Sequence, residues 1–188
     1  MKGTSLGTVV LGITASIAAH RACDLILDLK EEGVRVVPVL SKDAHHFVTP
    51  LTVQSLAAEE VYQDMFSLTG RTKPVHIELA KQADVILVAP ASADLLARVS
   101  LGLADDLLGA VLLAAVGPII IVPAMNDRMY AHPATQEHLG RLRKRGVRII
   151  EPVEGKLVCS DRAFGHIAPN AVILKAVLSI LSQKKGKG

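Results

Sequence analysis

Three polar side chains stand directly behind short apolar runs. Ser16 follows TVVLGITA, Ser92 follows VILVAPA, and Asn126 follows IIIVPAM. If the runs are strands of a parallel sheet, these residues gather at one edge. There, hydroxyls and helix N-termini hold phosphate, and a carboxamide reads a carboxylate or an amide. The first turn, Gly12-Ile13-Thr14-Ala15-Ser16, lacks G-x-G-x-x-G spacing, so a mononucleotide suits it better than a dinucleotide. It is equally an ordinary tight connection between strand and helix. Asn126 has a rival role too, as the cap of the turn that follows it. His76 opens a helical pattern whose Ile77, Leu79 and Ala80 face inward. It is a candidate base beside a crevice-forming strand, or a packed side chain, and Glu78 diverges from its face. Cys159 lies in a loop with Lys156 and Arg162 close in sequence, where positive charge favours thiolate; without a partner such a cysteine is inert. Cys23 reads as core. His45, His46, His132, His138 and His166 show no ligand spacing, and no metal is expected.

The elements that must position these residues follow from the pattern. Strands are expected over Thr8 to Ile13, Val34 to Leu40, Val85 to Ala89, Ile119 to Val122 and Val147 to Ile150. The uncharged β-branched run Val85 to Ala89 has the character of a strand buried on both faces, and Pro38 marks the second strand as an edge or a bulge. Helices are expected from Ser16 to about Glu32, over Leu51 to Ala58, around His76, from about Leu95, behind Asp105 or Asp106, from Pro133 to near Gly146, and over Ala171 to Ser182. Asp64 to Pro74 reads as a mobile polar loop and Glu151 to Asn170 as mostly loop. Alternating strands and helices make an α/β, doubly wound, Rossmann- or flavodoxin-like parallel sheet with right-handed crossovers. Ligands of such sheets bind at the carboxyl ends of the strands.

Composition bounds the rest. The 188 residues make one domain over 1–188, with a frayed Lys-rich tail at 183–188. Half of them are hydrophobic but only 3% aromatic, and mean hydropathy is +0.38. Small aliphatics packed between sheet and helices, with apolar surface left over for subunit contacts, account for that balance. The net charge of +3 is small and scattered, which argues against nucleic-acid binding. The uncharged run Leu107 to Asn126 has the length of a membrane span, but Gly117-Pro118 breaks it into a helix and a strand. Two cysteines far apart form neither a disulfide framework nor a zinc knuckle, and no signal-peptide pattern is present. The expected compartment is the cytoplasm.

Four pieces in order carry a resemblance: His76-Ile77-Glu78-Leu79, Pro90-Ala91-Ser92-Ala93, Ala104-Asp105-Asp106-Leu107-Leu108, and Pro123-Ala124-Met125-Asn126 with Met129. The chain resembles the homo-oligomeric flavin-containing cysteine decarboxylases from Gly12 to about Asp161. That resemblance implies FMN held by Gly12 and Thr14, Ala15 and Ser16, by Ser41, Lys42 and Asp43, and by Ser92, Ala93, Asp94 and Leu95 with Ala124. It implies His76 as catalytic base and Cys159 as proton donor. Asn126 and Met129 would then meet the substrate, with Lys156, Leu157 and Val158 in a covering flap. The implied reaction removes CO₂ from the acyl-cysteine 4′-phosphopantothenoylcysteine. Transient oxidation to a thioaldehyde provides the electron sink, and hydride return completes the cycle without external reductant. A trimer or a multiple of it, such as a dodecamer, is implied, as is a synthetase that supplies the substrate and is not contained in this chain.

Two departures stand out. After Cys159 the chain reads Ser160-Asp161-Arg162-Ala163-Phe164-Gly165-His166-Ile167, where the family has a glycine-rich segment ending in methionine. Asp94 stands where the family has asparagine and brings a carboxylate toward the flavin unless it is paired. Three neighbouring functions compete. A peptidyl-cysteine decarboxylase would stop at the enethiol and have no use for Cys159. A flavin prenyltransferase would lack His76 and Pro-Ala-Met-Asn. A flavin-binding regulatory module would tolerate an altered flap.

Overall fold

The computed structural model describes residues 5–66, 73–157 and 160–185. Five parallel strands form its centre: β1 (Gly7–Ile13), β2 (Val34–Leu40), β3 (Val85–Ala91), β4 (Ile119–Pro123) and β5 (Arg148–Ile149). Their order across the sheet is β2-β1-β3-β4-β5. The chain thus winds outward in one direction from β1 and then in the other from β3, which is the flavodoxin-like order. Alternation within each strand divides the core in two. Val9, Leu11 and Ile13 belong to one face with Leu25, Ile26 and Leu29 of α1 (Arg21–Glu31) and Val53 of α2 (Pro50–Ala57). Val10, Ile86 and Val88 belong to the other, with Leu79 of α3 (Val75–Gln82), Leu95 and Leu96 of α4 (Ala93–Leu101), and Leu108 and Val111 of α5 (Leu107–Leu113). Both faces are covered, which is why the strands read as continuous apolar runs.

β2 is an edge, as Pro38 requires, and that edge is occupied. Tyr62 donates its N–H to Pro38 O at 3.0 Å and accepts from Leu40 N at 2.8 Å, so the residue without an N–H contributes only its carbonyl. The uncharged run after Leu107 divides into α5 and β4 about Gly117-Pro118. No helix among the described residues is long and apolar enough to cross a membrane.

Several boundaries differ from expectation. β3 continues to Ala91, and α4 starts at Ala93 because Ser92, rather than a later residue, caps it. A short helix, α6 (Asp127–Ala131), precedes α7 (Pro133–Lys144). The segment expected to be mostly loop contains an antiparallel hairpin of β6 (Val153–Leu157) and β7 (Ser160–His166). The last helix, α8 (Asn170–Lys185), runs past Ser182. Lys184, expected in a frayed tail, instead pairs with Asp84, whose Oδ2 accepts from Thr8 N at 2.8 Å. Helix end, β1 and β3 are thereby joined at the amino-terminal edge of the sheet. Six residues of the expected mobile loop, 67–72, lie outside the described residues.

Candidate active site

The carboxyl ends of β1 and β3 lie side by side at the point where the winding reverses, and Thr14 joins them. Thr14 is 1% exposed; its Oγ1 donates to Pro90 O at 2.8 Å and accepts from Ser92 N at 2.9 Å. Both hydroxyl functions are used internally, so Thr14 shapes the crevice rather than reaching into it. Ser92 Oγ accepts from Leu95 N at 3.3 Å and caps α4. Ser16 Oγ accepts from Ala18 N at 3.3 Å, capping a 3-10 turn (Ile17–His20), and donates to Ala124 O at 3.3 Å. This last bond brings the end of β4 against the first turn.

Three strand ends therefore border one cleft of about 340 Å³. Ala15 and Ser16 line it from the first turn, Ser92 and Ala93 from the α4 start, and Ala124, Asn126 and Met129 from the segment after β4. Asn126 Oδ1 accepts from Arg128 N at 3.0 Å, capping α6, while its amide NH₂ has no partner among the described residues. Capping and ligand reading are thus compatible in this side chain. The hairpin closes the remaining side with Gly165, His166 and Ile167.

Other residues named from the sequence lie elsewhere. Gly12 is buried against α5: a Cβ there would lie 2.7 Å from Leu108 Cδ1, so the glycine admits a close helix approach and does not line the cleft. Ser41 donates its N–H to Ile13 O at 2.9 Å and stays with exposed Lys42 and Asp43 at the end of β2, outside the cleft lining. Leu95 is core, 2% exposed. Asp94 points outward and faces Arg98 at 3.8 Å, so its carboxylate is paired. Arg98 also binds Asp105, and Asp106 at 2.9 Å, while Asp106 Oδ1 accepts from Gly109 N at 2.7 Å and caps α5. His76, on α3, is absent from the cleft lining of its own chain, and its Nδ1 is buried without a partner. Val158 and Cys159 lie outside the described residues; Lys156 and Leu157 end β6.

Sequence reasoning missed two nitrogen-bearing side chains. His20 and Arg21 line the cleft from the start of α1, and Arg21 Nε is buried with no partner. Their signal was position: both lie within six residues of the first turn, where a helix begins. No acidic side chain lines this cleft among the described residues. No group of three His, Cys, Asp or Glu side chains there could hold a metal ion.

Tyr130, on α6 behind Met129, is 8% exposed. Its hydroxyl donates to Glu151, which also takes Arg143. Burial first, and then the bond to Glu151, push the phenol up to about 12. The Tyr130 ring stands 5.4 Å from that of Phe164 on β7. Next to it, Gly165 has φ +145° and accepts from Met125 N at 3.2 Å; a Cβ at Gly165 would collide with Met125 O.

Known proteins resemble this chain in sequence and fold. The coenzyme A biosynthesis bifunctional protein CoaBC of Haemophilus influenzae is 41% identical over 177 residues, 94% of this chain and 44% of that relative. The chain spans 40–44% of the length of such curated relatives. Among solved structures, a PPC decarboxylase mutant complexed with pantothenoylaminoethenethiol superposes with TM-score 0.82 at 30% identity, covering 91% of this chain and 96% of that one. The FMN binding protein AtHal3 does so with TM-score 0.81 at 31% identity, covering 91% and 94%. The family model described as Flavoprotein matches residues 4–182, which takes in every strand end bordering the cleft, and with these likenesses it establishes that the chain belongs to the flavoprotein family.

Proposed function

We propose that the protein binds FMN in this cleft and decarboxylates 4′-phosphopantothenoylcysteine to 4′-phosphopantetheine, as the decarboxylase of coenzyme A biosynthesis. The observation that carries this reading is the convergence of three strand ends on a cleft that, among the described residues, has no acidic side chain in its lining and has the unpartnered amide of Asn126 at its edge. The cleft fits the group. Its volume lies in the range of small-molecule sites, and the small side chains of Ala15, Ala93 and Ala124 leave room for a planar ring. The N-terminal ends of the 3-10 turn and α4, with Arg21 close by, suit a phosphate. Ala15, Ser16, Ser92, Ala93 and Ala124 would hold the cofactor directly. Thr14 and Leu95 keep those contacts in place, and Ser41, Lys42 and Asp43 border them from β2.

Bound there, FMN would supply a reversible two-electron acceptor, so that the sulfur-bearing carbon β to the substrate carboxylate, oxidised to a thioaldehyde, becomes the electron sink. The protein's own groups do the rest. Asn126 holds the carboxylate through its NH₂ group, and Met129 packs beside it. His76 accepts the thiol proton; its buried, unpartnered Nδ1 is available for a bond that substrate or oligomer completes. Cys159, which follows Lys156, Leu157 and Val158 in sequence, returns a proton to carbon.

His76 does not line its own cleft, so this reading calls for a second copy. Leu101, Leu103 and Leu113 are 57%, 49% and 64% exposed near the α4–α5 connection, apolar surface that a homo-oligomer, a trimer or a multiple of it, would cover. The setting is cytoplasmic, and a synthetase on a separate chain or region supplies the substrate. To test the reading, purified protein with FMN is mixed with phosphopantothenoylcysteine and followed by mass spectrometry. A yellow protein and a product lighter by CO₂ are expected; unchanged substrate with FMN bound would reject the decarboxylase.

A further inference from the structure

One side chain touches both legs of the β6–β7 hairpin. Tyr130 gives its hydroxyl to Glu151, two residues before β6 begins, and its ring to Phe164 on the returning strand. It is itself held from behind, since Gln136 Nε2 donates to Tyr130 O at 2.6 Å. Glu151 is fixed in turn by Arg143 of α7. The neighbouring backbone repeats the link, with Met125 N bonded to Gly165 O. Tyr130 shares α6 with Met129 and follows Asn126, both of which line the cleft; Phe164 precedes Gly165 and His166, which line its other side.

We propose that Tyr130, through Phe164 and Glu151, is a positioning residue that sets the hairpin against the Asn126–Met129 segment and so fixes the width of the cleft between them. The contacts have the right character for this. A tilted aromatic pair biases an equilibrium by roughly two- to tenfold beyond its buried area. The hydroxyl donates to a carboxylate, the stronger class of hydrogen bond, and Tyr130 is buried while Phe164 remains 46% exposed. Among the described residues, both strands of the hairpin pair only with each other, not with the five-stranded sheet. Removing the clamp should loosen the hairpin and leave the five-stranded sheet, and the cofactor contacts of its strand ends, intact.

The substrate side of this inference rests on the decarboxylase reading, but its first readout does not. Lys156 and Arg162 give trypsin two cleavage points in the hairpin. Native FMN-loaded protein is digested briefly and the hairpin cuts are quantified for wild type, Phe164→Ala, Phe164→Leu, Phe164→Tyr and Tyr130→Phe. Cutting should be roughly five- to tenfold faster in Phe164→Ala, on the scale of the lost ring contact. Phe164→Tyr should restore the wild-type rate, and Tyr130→Phe should lie between. Flavin content should stay equal throughout. KM for phosphopantothenoylcysteine should rise in the same order as the cutting rate, with kcat changed less. Wild-type cutting in Phe164→Ala would overturn the clamp; if that variant does not fold, wild-type cutting in Phe164→Leu and Tyr130→Phe would do so. A wild-type protein that releases no CO₂ would remove the proposed function, and the proteolysis would still decide the clamp.

Discussion

Asn126 shows how one side chain can hold two roles at once, because its oxygen caps α6 while its nitrogen stays available to the cleft. Asn126→Asp separates them. The carboxylate keeps the cap, so thermal stability should hold, but it places like charge against the substrate carboxylate, and kcat/KM should fall at least tenfold, about 1.4 kcal/mol. Asn126→Ala should instead also lower stability by about 1 kcal/mol through loss of the cap. Steady-state kinetics and thermal melts on both variants check this; unchanged kcat/KM in Asn126→Asp would take the side chain out of substrate binding. Ser92, Ser16 and Asn126 were legible because each comes within three residues of the end of an apolar strand. Gly12 was misread because a glycine in a βα turn looks the same whether it admits a phosphate or, as here, the Leu108 side chain. His20 and Arg21 were overlooked because nothing in residue type distinguishes a cleft-lining polar side chain from a solvated one.

At the level of elements, the central strands of the parallel sheet were readable because both faces are buried, which leaves apolar runs such as that of β3. The hairpin was not. Its strands have one partner each, two register irregularities, and charged residues such as Glu154, Asp161 and Arg162 that blur any alternation. Gly155 and Gly165, which read as loop signals, are there for close approach: a Cβ at Gly155 would lie 2.8 Å from the His166 ring, and Gly165 is held at positive φ against Met125. Gly165→Ala should therefore cost about 1–3 kcal/mol from overpacking and backbone strain. In calorimetry its melting temperature should drop clearly, whereas Gly140→Ala, with open space around it on helix α7, should not lower it.

Across the whole molecule, the lock between α8 and the sheet sets an acid limit. Burial pushes the Asp84 carboxyl up, but hydrogen bonds from Lys184 and Thr8 N outweigh it and hold it below the usual carboxylate range. A lowered folded value contributes stability that is present above about pH 4 and lost as pH falls through that lower value. Asp84→Asn should flatten the acid limb of a melting-temperature profile while changing little on the alkaline side; an unchanged acid limb would mean that other carboxylates set it. The alkaline side carries the opposite sign at Tyr130, whose raised phenol contributes stability that is full below its ordinary value near 10 and lost as pH rises through about 12. The assembly gives a separate expectation. Light scattering at micromolar protein should give three copies or a multiple of three, and a flavin-loaded monomer would count against the shared site.

Because Lys184 meets Asp84, just before β3 begins, α8 ends at the edge of the sheet opposite the one where the cleft opens after β3. That separation gives the molecule a natural handle. A biotin or affinity tag joined behind α8 would anchor each subunit by its back, on the side away from its cleft. Surface-based sensing of FMN or substrate analogues should then retain full capacity, whereas attachment through engineered thiols near Met129 would block it.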